Sequence, residues 1–233
     1  MRAPTAFRGF QPEAIHFLLE LSINNEREWF QPRKTEYERL LKEPLEALCV
    51  TLGEQFAARG IPLRADAGSP FRIYRDVRFS KDKSPYKTHV SASFPWADEG
   101  VGVTHSRSRT ESVHRPGGYF HFQPDECYVG GGMWHPERPF LDAWRSLVVK
   151  SPKPVHAAID DRSFVAEFGE VDGERLKRVP PGYDVDHPDR ELLKLKDVTF
   201  GRRMTDDEAL SPDLPDILAD AFAKATPVFR LLA

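Results

Sequence analysis

The chain has 233 residues, 40% of them hydrophobic and 30% charged, enough for a substantial buried core and too few bases for a general nucleic-acid coat at a formal net charge of −3. No apolar run approaches the roughly 18 residues a membrane helix needs, and the first twenty residues lack the apolar stretch and cleavage site of a signal peptide. Cys49 and Cys127 are widely spaced with no CxxC pattern, so they read as buried free thiols in a reducing cytoplasm.

In chain order, the apolar stripe of Ile15, Phe17, Leu18 and Leu19 predicts a helix from Gln11 to Leu21, with Pro12 in its first turn. Asn24 or Asn25 is then expected to cap a second helix, which Pro32 interrupts. The pattern resumes from Arg33 to about Gly60, with a break or kink at Glu43–Pro44. Phe71, Ile73, Val77 and Phe79 alternate with polar residues and predict a strand over 71–79. Arg75 falls on its apolar face, where an acid or an anion should meet it. A polar turn at Ser80–Pro85 leads to a second strand whose apolar face is Val90, Ala92, Phe94 and Trp96.

Residues 98–117 read as a polar loop holding His105 and His114. Tyr119–Gln123 and Cys127–Val129 read as a hairpin, followed by Gly130–Gly132. A helix is expected from Pro136 to about Lys150, facing the core through Phe140, Leu141, Trp144, Leu147 and Val148. Two helical pieces follow over 155–168, then a loop at KRVPPGYDVDHP, a helix-to-strand passage over 192–200, and a last helix from Leu210 to Leu232 whose end Pro227 interrupts. Helices, then strands, then helices imply an α+β fold: a central antiparallel sheet flanked by N-terminal and C-terminal helices. We read one domain, helical over 10–60, sheet over 70–132 and helical over 136–233.

Charge singles out residues 71–89, FRIYRDVRFSKDKSPYKTH. Arg72, Arg75, Arg78, Lys81, Lys83 and Lys87 stand there against Asp76 and Asp82, a local excess of four positive charges in an acidic chain. Phosphate recognition needs guanidinium forks, lysine point charges and free backbone N–H groups. Arg72, Arg78, Lys81, Lys83 and Lys87 are therefore the candidate anion-binding residues, with Gly130–Gly132 able to admit a ligand close to backbone. There is no GxxxxGK[ST] phosphate loop. Arg75, Asp76 and Glu28 are expected to be structural charges, Glu28 facing one of the arginines. If 71–79, 89–96 and 119–123 are neighbouring strands, Tyr74, His89, Tyr119 and His121 share one polar face, and His89, Tyr119 and His121 are the candidate acid–base residues.

Nucleic-acid binding is the second choice: basic residues interleave with Phe71, Tyr74, Phe79 and Tyr86, but no RRM-type string is present. The histidines form no HExxH or comparable ligand set, so no metal is assigned, and no cofactor is named. Tyr183, Asp186 and His187 belong either to a tight turn or to a lid.

The strings NNEREWF, RIYRDVRFSKDKSPYKTH, GYFHFQP, YVGGGMWHPE and KRVPPGYDVDHP, in that order, resemble a widespread microbial family of conserved hypothetical proteins, a domain of unknown function. The likeness covers nearly the whole chain. It departs from the family pattern at 98–117, where the polar loop is longer, and it implies a cytoplasmic, single-domain protein with no assigned reaction.

Overall fold

The computed structural model describes residues 6–97 and 115–233. His105, His114 and most of the polar loop lie outside the described residues.

Helix α1 spans Pro12–Ile23, and Pro12 opens it because a first-turn residue needs no donor N–H. Its end is closed by Asn24, whose backbone and side-chain nitrogens both donate to Glu20 O. Neither asparagine caps the next helix, contrary to expectation. From Arg27 the chain stays helical to Arg59: α2 (Arg27–Phe30), a 3₁₀ turn at Gln31–Arg33 around Pro32, α3 (Lys34–Tyr37), a π turn at Glu38–Lys42, and α4 (Glu43–Arg59). Instead of a break, Pro44 is accommodated by the wider π turn just before it. Gly60, at φ 65°, ends the run in the left-handed conformation.

Four strands form one antiparallel sheet in sequential order: β1 (Val90–Pro95), β2 (Gly117–Phe122), β3 (Tyr128–Met133) and β4 (Val198–Arg203). The register sets Ser93 opposite Tyr119, Tyr119 opposite Gly130 and Gly130 opposite Gly201. Alternation then sorts the faces. Val90, Ala92, Phe94, Phe120, Phe122, Val129 and Phe200 are buried in the core. Gly118, on that face, lies against α10, the helix Leu214–Leu232: a Cβ there would stand 2.6 Å from the Phe222 ring, so only glycine admits this approach. Phe56 of α4 meets Phe94 and Phe222 edge-on, at 5.8 Å in each case.

Beyond the sheet lie α5 (Arg138–Lys150), α6 (Pro152–Ile159), α7 (Arg162–Phe168), the short α8 (Arg190–Leu193) and α9 (Asp206–Leu210). In α5 the core face includes Arg145, 7% exposed, a residue type the apolar pattern passes over. Its guanidinium donates to Leu193 O and Leu195 O at 3.0 and 3.1 Å, serving the carbonyls left open at the end of α8. Pro227 does not interrupt α10, which runs on to Leu232. Burial of Val228, Phe229 and Leu232 outweighs the one backbone bond a proline removes.

The expected strand over 71–79 does not form. Phe71 N donates to Ser91 O, and bridges join Pro70 to Ala92 and Tyr74 to Tyr86, but no continuous ladder follows. The reason is local. Asp76 accepts from Arg78 N, Asp82 accepts from Ser84 N and Lys83 donates to Val77 O, so side chains take the backbone groups a ladder would use. Phe79, assigned by alternation to the core, is 96% exposed at the tip of this loop.

Candidate functional site

Among the described residues, the sheet face opposite α10 opens onto a cavity rather than onto a helix. Its small residues, Ser91, Ser93, Gly117, Gly132 and Thr199, floor a cavity of about 540 Å³. That volume falls within the roughly 300–1,000 Å³ of small-molecule sites. Phe71, Tyr119, Tyr128 and Trp134 supply aromatic wall.

Each wall is held for an identifiable reason. Phe71 hangs on the edge of β1 through its bond to Ser91. Tyr128 lies across β4 with its hydroxyl donating to Phe200 O at 3.2 Å, a path open only because Gly201 has no Cβ. Trp134 stacks on His135 at 4.1 Å. His135, at φ 47°, is fixed by the buried Asp197, which accepts from its backbone N–H at 2.5 Å and lies 3.0 Å from its Nδ1.

Two cations line the cavity, Lys87 and Arg115, and no carboxylate does among the described residues. The Lys87 ammonium lies 5.1 Å from the Phe71 ring. Burial first, and then the charge of Arg72, lower its affinity for its own proton. A cation desolvated beside a second cation gains from an incoming anion.

His89 lines the cavity and packs against His121, the two tilted rings 4.2 Å apart. Burial, then His121, then Lys87, push His89 down to about 3 from the usual 6.5, and His121 is lowered chiefly by burial. Both rings are therefore neutral at pH 7. A hydrogen-bond chain sets the His121 tautomer. Gln123 Nε2 donates to the Glu126 carboxylate at 2.8 Å, which turns Gln123 Oε1 toward His121 Nε2 at 3.3 Å. That carbonyl needs an N–H, so the ring proton is on Nε2, and Nδ1 accepts from the Tyr119 hydroxyl at 3.0 Å. Burial raises Tyr119 above its ordinary value, with a hydrogen bond to Ser91 offsetting part of the rise.

The structure thus brings together Lys87, His89, Tyr119 and His121 of the sequence candidates. It places the others elsewhere. Arg72 is exposed, yet close enough for Lys87 to feel its charge. Arg78 is paired with Asp76 at 2.6 Å in solvent, where the pairing lowers Asp76 to about 2. Lys81 is exposed on the loop, and Lys83 is occupied with Val77 O. Arg75 pairs with Asp82 and donates to Ser84 O at 3.3 Å, closing its own loop.

Glu28 is exposed and does not face an arginine in the described ion pairs. The N-terminal helices dock on the basic segment through Asn25, whose side chain both donates to Tyr86 O and accepts from Tyr86 N at 3.0 Å. Phe30 stacks on Tyr86 at 4.1 Å. Asp186 and His187 make local turn bonds to Asp184 and Asp189, and neither they nor Tyr183 line the cavity. Arg115 and Trp134 are the functional candidates that sequence reading missed. Both stand just outside strands, and no pattern in the chain shows which side chains a sheet face will gather. No three His, Cys, Asp or Glu residues among those described are grouped to hold a metal ion.

Fold and site together define an α+β protein with a cation-bearing, aromatic-walled cavity on one face of an antiparallel sheet. The chain belongs to the family described as Conserved hypothetical protein (DUF2461), which it matches over residues 13–230. Neither the curated proteins nor the solved structures contain a match to it.

Proposed function

We propose that the cavity binds a small anionic ligand, a phosphate ester or a carboxylate, with Lys87 and Arg115 as its charge partners. The observation that supports this best is a lining with two cations and, among the described residues, no acid. Ser91, Tyr119 and His89 add polar groups beside Lys87. The ordered Tyr119–His121–Gln123–Glu126 chain makes acid–base catalysis available at the same place, with His121 as the neutral base behind Tyr119. Titration calorimetry with phenyl phosphate tests the reading. Binding that Lys87→Gln weakens about ten-fold and Arg78→Gln leaves alone is the expected result. Binding that responds to Arg78 and not to Lys87 would move the site to the outer loop.

The alternative, a nucleic-acid or protein-interaction surface, draws on Phe79, exposed with Arg78 over its ring, and on the exposed Tyr74, Lys81 and Lys83. Stacking on such rings between cations suits single strands. A steep salt dependence of oligonucleotide binding, lost in Phe79→Ala, would favour it.

The continuous cluster of buried side chains from Phe7 to Leu232 supports one domain. The buried free thiols Cys49 and Cys127 support a cytoplasmic location. Among the described residues no helix is long and apolar enough to cross a membrane.

A further inference from the structure

Lys87 and Arg115 reach the cavity from opposite ends of the same strand pair. Lys87 precedes β1, at the end where Val90 lies opposite Phe122. Its ammonium stays beside Phe71, and Phe71 is tied to Ser91. Arg115 precedes β2, at the end where Gly117 lies opposite Pro95. Ser91 and Pro95 are four residues apart on an extended strand, about 13 Å. One phosphate or carboxylate group is only a few ångströms across, so cations held toward the two ends of that span would take separate acidic groups.

Between the two ends the described residues offer rings in place of further charge. Phe71 and Tyr119 stand 6.5 Å apart near the lysine, and Trp134 follows the last residue of β3 on the arginine side, where Gly132 pairs with Gly117. Flat apolar walls favour a flat apolar body. Resting on the anion-binding reading above, we infer that the cavity takes an elongated ligand with two acidic groups, one at each end of a planar body. The acid at the Lys87 end meets Ser91, Tyr119 and His89, and the acid at the other end meets the Arg115 guanidinium.

Calorimetry on the full chain with three probes tests this: inorganic phosphate, biphenyl-4-yl phosphate, and the same ester bearing a 4′-carboxylate. The carboxylated ester is expected to bind about ten-fold more tightly than the plain ester, one charge-assisted contact more. Lys87→Gln and Arg115→Gln should each abolish that advantage, and Lys87→Arg and Arg115→Lys should keep it. Equal affinity of the two esters for the wild type, or an advantage that survives both glutamine substitutions, overturns the inference and leaves simple anion binding standing. No binding of any of the three probes removes both readings.

Discussion

The two faces of the sheet are built from the same four strands and differ in almost every other respect. On one face every second residue except the ion-paired Arg202 is apolar or glycine, and α4 and α10 press Phe56, Phe222 and Phe229 against it. On the other, serine, threonine and glycine leave room, and the larger residues are aromatic or basic. The first face makes the fold stable. The second is kept open by it, since small residues over a cavity contribute little buried apolar area. The candidate site lies not in the most charged stretch of the chain but where small residues replace apolar ones on alternate positions of the strands.

Substitutions that strike one face and not the other test that division. The largest effect belongs to Phe222→Ala, which removes a fully buried ring in contact with Phe56 and Phe94. Urea denaturation should show a loss of about 3–5 kcal/mol. Phenyl phosphate affinity of the folded fraction should be unchanged, and a matching loss of affinity would mean that the faces are not separable. Gly201→Ala comes next. Its methyl group collides with the Tyr128 ring, which must leave Phe200 O and swing toward the cavity. A cost of about 1–3 kcal/mol is expected, together with an affinity for phenyl phosphate several-fold weaker.

Two histidines sharpen the comparison through pH. His89, in the cavity, refuses a proton until about pH 3, whereas the unfolded chain accepts one near 6.5. Protons therefore favour the unfolded state across that window, and His89 makes the fold less stable as pH falls from 6.5 toward 3. His156, on the outer helices, is raised, first by its hydrogen bond to Asp160 at 2.8 Å and then by that to Asp189 at 2.9 Å. Its stabilisation is complete below the unfolded value and is lost as pH rises through the raised one. Urea midpoints from pH 5 to 8 should flatten on the acid side in His89→Gln and on the alkaline side in His156→Gln. The reverse assignment would contradict both environments. His89 is neutral at both pH 5 and pH 8, so the pH dependence of phenyl phosphate binding should follow the ligand's own second ionisation at about pH 6, with weaker binding at pH 5 than at pH 8.

The smallest effect is expected from Arg75→Gln. The Arg75–Asp82 pair closes a solvent-facing loop, so its loss should barely move the urea midpoint and leave cavity affinity alone. Faster amide exchange at Ser84 would be its signature.

Much of this was legible from residue order alone. The period of Val90, Ala92 and Phe94, the turn between Phe122 and Cys127, and the long stripe of α10 each depend on neighbours in the chain, and each element forms where that pattern lies. Residues 71–79 mark the limit. Their alternation is that of a strand, but Asp76 and Asp82 claim the backbone locally, a competition that periodicity does not weigh. Arg145 and Pro227 likewise break a local rule and are accommodated by distant partners or by burial.

By itself the sequence determined the α+β class and the strands and helices with strong periodicity. Of the four residues expected on one polar face, Tyr74 stands apart because the strand expected to carry it does not form. Side-chain alternation and turn chemistry are encoded within a few residues of where they act. Only the tertiary structure decided that Lys87 faces a cavity while Arg78 faces water, and that Arg115 and Trp134 join it. Those outcomes depend on strand register, on glycine positions that let a tyrosine ring cross a neighbouring strand, and on which face α10 covers. They are properties of contacts between residues far apart in the chain.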